Sequence, residues 1–276
     1  VIIKEPELNL KIKKSHVKLK DWELIMNGKF IESDVLLTNN SGKINEFPFF
    51  DNGYWWVQGL SSCLPVKCLD NLFPILKRKE IKILDVCAAP GGKTAQLADY
   101  GFRSLSVDIS EYRIKQLKTN LDRLNYKSEI ICTDFLNYDS DQKFDAILLD
   151  APCSASGLIQ KKPEILIANK QIDLKKLVIE QRRLLEHSKK FIKKGGYIIY
   201  CVCSINNCEG YEQIKTFLKN NKNFSSVDHS DNIKKYGKII FKNMLQIYPR
   251  RFEFSDNING YLDGFFISIL KKEKNN

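Results

Sequence analysis

The sequence predicts a doubly wound α/β fold over residues 76–276, a Rossmann-like parallel sheet covered by helices on both faces, preceded by a small α+β domain over residues 1–75. Three observations predict it. From residue 76 onward, short apolar runs alternate with helical patterns, as expected for a parallel sheet built from crossovers. The stretch Ile83-Leu-Asp-Val-Cys-Ala-Ala-Pro-Gly-Gly-Lys-Thr-Ala-Gln-Leu-Ala98 reads as a buried strand, a tight glycine turn and a helix start. The first four apolar runs of this region each end in an aspartate: Asp85, Asp108, Asp134 and Asp150. Ligands of doubly wound sheets lie beyond the carboxyl ends of the strands, so these aspartates converge on one crevice.

The elements follow in chain order. Leu8–Lys13 and Ser15–Lys20 alternate Lys with apolar residues at period two, like strands. Asp34–Leu37 reads as a third strand and Asn39-Asn-Ser-Gly42 as a turn. Trp55 and Trp56 read as core packing in preference to a base-stacking surface. Residues 81–86 form the first strand of the larger domain, with a helix over 93–100. The second strand is 103–107. Ser110 caps the next helix, whose Ile114, Leu117, Leu121 and Leu124 share one stripe. Strands at 129–133 and 144–149 come next, then a helix over 171–193 that stops at Gly195-Gly196. A strand at 197–202, a helix at 208–220 and two late strands, 238–248 and 264–270, complete the sheet as a hairpin.

The glycine turn is a ligand cradle: glycines admit a ligand to the backbone, and a helix N-terminus offers free amides. It is not a P-loop, because Cys87 stands where the first glycine belongs, and it lacks the Gly-x-Gly-x-x-Gly dinucleotide fingerprint. A carboxylate after the second strand suits a ribose diol, and Asp108 follows Asp85 near the usual interval of ~20 residues. Asp134 falls where an adenine ring would lie. A nucleoside cofactor follows from this arrangement.

Composition sets the outer bounds. Residues 1–75 hold 9 Lys and no Arg against 9 acids, so the net charge of +11 belongs wholly to residues 76–276. Such an excess fits a polyanion partner, and equally an ordinary solvated lysine face. No apolar run approaches the ~20 residues of a membrane span, and residues 1–20 have no signal-peptide core. These features predict a cytoplasmic protein without membrane contact. The chain begins at Val1, which predicts a further N-terminal part. Its eight cysteines are expected as thiols. Their spacings lack any Cys-x2-Cys pair, so no metal is expected.

The segment Cys87-Ala-Ala-Pro-Gly-Gly-Lys93 resembles motif I of S-adenosylmethionine (SAM)-dependent methyltransferases, in the form found in the Sun/Fmu family of RNA cytosine-5 methyltransferases. Three further segments resemble that family. Asp150-Ala-Pro-Cys-Ser-Ala-Ser-Gly157 matches Asp-Ala-Pro-Cys-Ser-x-x-Gly, Tyr200-Cys-Val-Cys-Ser204 matches Tyr-x-Thr-Cys-Ser, and Asp263-Gly-Phe-Phe266 matches its terminal motif. Gly53–Ser62 is loosely similar to the family's lead-in, with Gly59 for Asp and Ser61 for Ala. The resemblance implies a SAM-dependent enzyme methylating carbon 5 of cytosine in RNA, with ribosomal RNA as the expected target class. It implies a SAM site formed by Cys87, Ala88, Ala89, Pro90, Gly91, Gly92, Lys93, Asp108, Arg113, Asp134 and Asp150. It assigns Cys203 as the nucleophile and Cys153 to release of the adduct, with Asp150 on the target base and Lys93 supplying positive charge. Carbon 5 of cytosine is too weak a nucleophile unless a thiolate first adds at carbon 6, which accounts for a catalytic cysteine. The chain departs from the pattern at Val202, Gly210 and Gln160–Glu164. The rival reading is a non-catalytic RNA-binding or assembly factor that kept the fold; intact Cys153 and Cys203 argue against it.

Overall fold

A computed structural model describes residues 7–165, 173–255 and 257–274. The chain begins with a four-stranded sheet in the order β2-β3-β1-β4, made of β1 (Leu8–Ile12), β2 (Gly28–Glu32), β3 (Val35–Thr38) and β4 (Trp55–Val57). A short helix α1 (Trp22–Ile25) joins β1 to β2. Leu10, Ile12, Trp22, Met26, Leu36 and Trp55 form its core. Trp55 and Trp56 are buried, as the core reading expects.

The second strand expected at Ser15–Lys20 is instead a run of turns, with His16 and Val17 amides bonded to the Lys13 carbonyl. The alternation does not make a strand there because it has no buried face to serve: Leu19 is 63% exposed.

Helix α2 (Leu60–Leu72) follows, an element that the sequence pattern does not announce. Pro65 in its interior hides the helical periodicity. Leu60, Leu64 and Cys68 nevertheless lie on one stripe, in the same buried cluster as Ala146, Leu148, Ile199 and Ile267 of the large sheet. This helix therefore lies on that sheet although it precedes the boundary expected near residue 75.

The large sheet holds nine strands among the described residues. Five are parallel in the order β9-β8-β5-β6-β7: β5 (Lys82–Val86), β6 (Arg103–Asp108), β7 (Glu129–Cys132), β8 (Phe144–Asp150) and β9 (Ile192–Val202). The chain starts at β5, runs outward to β7, then returns to add β8 on the other side. The strand order thus reverses at β5, which opens a crevice at the carboxyl ends of β5 and β8. Neighbours along β5 show that both faces are covered: Ile83 joins one apolar cluster and Leu84 the other. One face carries α2 and α3 (Gly92–Asp99); the other carries α5 (Leu174–Ser188) and α6 (Tyr211–Asn220). Helix α4 (Glu111–Arg123) has its expected cap at Ser110 and buries Ile114, Leu117 and Leu121.

Two expectations need correction in the second half. Helix α5 stops at Ser188, and β9 starts at Ile192, before the two glycines. Gly195-Gly196 mark an irregularity in the pairing of β8 with β9, where Gly195 has φ 78°, so the glycines bend a strand and do not end a helix. Residues 171–172 of the expected helix lie outside the described residues. The late strands are also more divided than expected. Strand β15 (Phe265–Lys272) pairs antiparallel with β9, with β12 (Leu245–Ile247) and with β10 (Phe224–Val227). Strand β11 (Lys238–Ile239) pairs with β12. A separate hairpin of β13 (Arg250–Ser255) and β14 (Ile258–Leu262) stands between β12 and β15, while α7 (Asp231–Lys234) precedes β11.

Candidate active site

After β5 the chain turns through Cys87, at φ 59°, and Gly91, at φ 99°, before α3 opens at Gly92. A Cβ on Gly91 would stand 2.9 Å from Leu117 Cγ, so both conformation and space require glycine. The turn is fastened to the end of β6. Ala89 N–H donates to Asp108 Oδ2 at 3.0 Å, Ser110 N–H donates to Asp108 Oδ1 at 3.0 Å, and Arg113 donates to the Ala89 carbonyl. Asp85, by contrast, lies beneath the turn with no exposed surface. Its Oδ2 accepts from Thr94 Oγ1 at 2.6 Å, and burial pushes its carboxyl up to about 7.

Two cavities open on this turn. A smaller one of roughly 100 Å³ gathers Cys87, Asp108, Arg113 and Asp134, with Phe135 and Leu184 as apolar walls and Glu180 of α5 at its edge. Asp134 Oδ1 accepts from the Leu136 amide at 2.9 Å. Apolar walls with carboxylates on either side suit a nucleoside, whose ring needs apolar surfaces and whose hydroxyls need acceptors. Asp108 already accepts two backbone amides, yet a carboxylate offers about four lone-pair sites, so room for a ribose remains.

The larger cleft, roughly 480 Å³, is lined by Ala88, Ala89, Pro90, Gly92, Lys93, Asp150 and Cys203, with Arg113 common to both cavities. Gly91 lines neither of these two; it faces a third hollow with Phe50 and Trp56. Lys93 Nζ donates to Asp150 Oδ2 at 2.7 Å and to Ser62 Oγ at 3.0 Å. Burial works against the Lys93 charge, but the Asp150 carboxylate outweighs it and holds the ammonium above its usual range.

The two thiols meet although they are 50 positions apart: Cys153 Sγ and Cys203 Sγ lie 3.3 Å from each other. The Cys203 contact and burial together push the Cys153 thiol well up, so Cys153 stays protonated and can donate its S–H to Cys203. Cys201 is fully buried, and burial followed by nearby Asp150 raises its thiol as well. Such a thiol behaves as an inert core residue.

Glycines bring the loops this close. Gly157 N–H donates to the Cys203 carbonyl at 3.0 Å, and the Gly157 carbonyl accepts from Gly264 N–H at 2.9 Å. The Asp150–Gly157, Cys203 and Asp263–Phe266 segments therefore form one wall. Sequence reasoning assigns no role at the site to Ser62, Lys161, Glu180 or Glu209. Lys161 Nζ pairs with Asp263 Oδ2 at 2.6 Å in the cleft. Glu180 sits mid-helix among charged residues and gives no sequence signal.

A parallel sheet whose order reverses at a glycine turn, flanked by strand-end aspartates, defines the Rossmann-like methyltransferase class. The family model described as 16S rRNA methyltransferase RsmB/F matches residues 74–271, and the chain belongs to that family. It is 41% identical over 177 residues to ribosomal RNA small subunit methyltransferase B of Photorhabdus laumondii subsp. laumondii, covering 62% of this chain and 40% of that protein. The Shewanella oneidensis protein of the same name is 43% identical over 141 residues, covering 49% of this chain and 33% of that one. The chain thus spans two fifths or less of the length of these relatives. Among solved structures, NSun6 from Pyrococcus horikoshii with SFG aligns at TM-score 0.70 and 26% identity, covering 88% of this chain and 60% of that one. A methyltransferase homolog protein from Pyrococcus horikoshii has the same fold at TM-score 0.69 and 24% identity, covering 98% of this chain and 87% of that one.

Proposed function

We propose that this chain methylates carbon 5 of a cytosine in RNA, of the ribosomal RNA class its relatives are named for, using SAM. The observation that carries the reading is the pair of thiols at 3.3 Å beside the Lys93–Asp150 ion pair. An amine or hydroxyl acceptor needs no thiol, whereas carbon 5 needs one at carbon 6.

Asp108, Asp134 and Glu180 hold the nucleoside part of SAM in the smaller cavity, with Arg113 at the passage to the larger one. SAM supplies the electrophilic methyl group. In the larger cleft the target base lies between Asp150, Lys93 and Cys203. Asp150 accepts a hydrogen bond from the base, and Lys93 offsets negative charge there. Cys203 adds as thiolate to carbon 6, the new S–C bond placing an electron pair on carbon 5 for methylation. After methylation the carbon 5 proton leaves to solvent, and its C–H electron pair re-forms the 5,6 double bond, expelling the Cys203 sulfur. Cys153, held protonated against Cys203, gives its S–H proton to that departing thiolate. That expulsion restores the ring.

The test separates the thiols. Each variant is incubated with RNA and SAM and run on a denaturing gel, with methylation read by bisulfite sequencing. Cys203→Ala should give neither product nor adduct. Cys153→Ala should attack and transfer, then release poorly, so a covalent protein–RNA band accumulates. Adducts with Cys203→Ala and none with Cys153→Ala would exchange the roles. Full methylation by both variants would remove the thiol mechanism.

A further inference from the structure

A carboxylate that this chemistry does not use sits behind the two thiols. Glu209 has no exposed surface and lies between β9 and α6. Its Oε1 accepts from Ser154 N–H at 2.8 Å and Gln181 Nε2 at 3.1 Å. Its Oε2 accepts from Ser154 Oγ at 2.5 Å, Ser204 Oγ at 2.6 Å and Asn206 Nδ2 at 3.0 Å. Ser154 directly follows Cys153, and Ser204 directly follows Cys203. One carboxylate therefore clasps the residue after each thiol. Tyr200 fixes the clasp from below, donating from its hydroxyl to the Glu209 carbonyl at 2.6 Å.

Burial favours a neutral carboxyl here, but the donors on Ser154, Ser204 and Asn206 outweigh it and hold Glu209 below the usual carboxylate range. An ionised carboxylate only accepts, so both serine hydroxyls must point at it as donors. That removes the rotational choice a neutral partner would leave. A buried carboxylate is costly unless its oxygens are fully bonded, and here the bonds run to loops from two different strands.

We propose that Glu209 is a positioning residue: it sets the Cys153 and Cys203 loops in register so that the two sulfurs stand side by side at the target base. The reading of their chemistry rests on the two-thiol mechanism above; the clasp itself does not. Glu209 makes no hydrogen bond to either sulfur, so it acts through Ser154 and Ser204.

The direct readout is sulfur proximity. Dibromobimane, a bifunctional reagent that joins neighbouring thiols, should bridge Cys153 to Cys203 in the intact protein, with peptide mapping locating the link. Glu209→Ala should lower that yield several-fold. Its kcat should fall roughly 10²-fold, as for a misplaced reacting group, while the RNA KM and the SAM affinity stay within about twofold. Glu209→Gln, which keeps one acceptor oxygen, should recover part of both. Should Glu209→Ala not fold, Ser154→Ala and Ser204→Ala each remove one side of the clasp and carry the same comparison. A folded variant with wild-type bridging and wild-type kcat overturns the proposal. Reduced bridging in a protein that never methylates RNA would instead uphold the clasp and overturn the reaction.

Discussion

The four strand-end aspartates look alike in the sequence and do different work in the structure. Asp108 and Asp134 line the smaller cavity, Asp150 the larger one, and Asp85 neither. Asp108→Ala should weaken SAM binding by about 1.5–3 kcal/mol, the worth of hydrogen bonds to a charged group. It also frees the Ala89 amide. Calorimetry that returns the wild-type affinity would remove Asp108 from the site. Asp85 behaves oppositely. Its carboxyl is near 3.8 unfolded and about 7 folded, so the folded chain holds a proton that the unfolded chain gives up. Stability attributable to this residue is thus greatest below about pH 4, falls as pH rises toward 7, and is level beyond. Asp85→Asn should flatten that fall. Urea midpoints should favour the variant most at about pH 8 and least at about pH 4, and an equal gap at both would show that Asp85 ionises normally.

At the scale of elements, close backbone approaches join loops whose motifs the sequence displays, and glycine makes them possible. A Cβ on Gly157 would lie 2.1 Å from the Gly264 carbonyl oxygen, a backbone atom that cannot swing aside. Gly157→Ala should cost about 1–3 kcal/mol as an overpacked site, and it should part the Cys153 and Cys203 loops. Denaturant unfolding at wild-type stability would show that the wall can shift cheaply. Gly210 stands where the resembled family often has Asn, and the ring of Phe266 lies 2.7 Å from where its Cβ would be, so the space is already filled. Of the parallel strands, β5, β6 and β8 were legible because each is a largely apolar run closed by Asp, a pattern that suits a strand buried on both faces. The glycine turn and the cysteine motifs were legible because chemistry fixes residue types at fixed spacing. Helix α2 was not, since Pro65 and the cysteines mask its stripe until the large sheet supplies a surface for it. The β13–β14 hairpin alternates charged and aromatic residues over a half-buried face, a weak signal without its partner. Glu209 was not legible either: a buried carboxylate is identified by its donors, and these come from positions 154, 181, 204 and 206.

At the scale of the whole molecule, the two sheets are fastened by charge buried between them. Lys11, with no exposed surface, pairs with Asp34, which also accepts from Tyr100 Oη at 3.1 Å. Asp99 accepts from Tyr126 Oη at 2.6 Å and from the Lys14 amide at 3.1 Å. The small sheet places its lysines partly on this seam, while the surplus of positive charge stands on residues 76–276. Arg250 and Arg251 of β13 are exposed, as is Lys162 beside the cleft. Phosphates of a bound RNA should therefore meet the larger part of the chain, each neutralised phosphate releasing counterions. The logarithm of RNA affinity should fall linearly with the logarithm of salt, by about 0.7 per neutralised phosphate on a single strand. Charge removal at Arg251 or Lys162 should weaken binding alike for all sequences, and each phosphate thereby left unneutralised should shallow the slope by about that amount. Fluorescence anisotropy across a salt series measures both quantities. A flat series, or a slope unchanged when both residues are replaced, would place the RNA elsewhere on the molecule or exclude it as the partner.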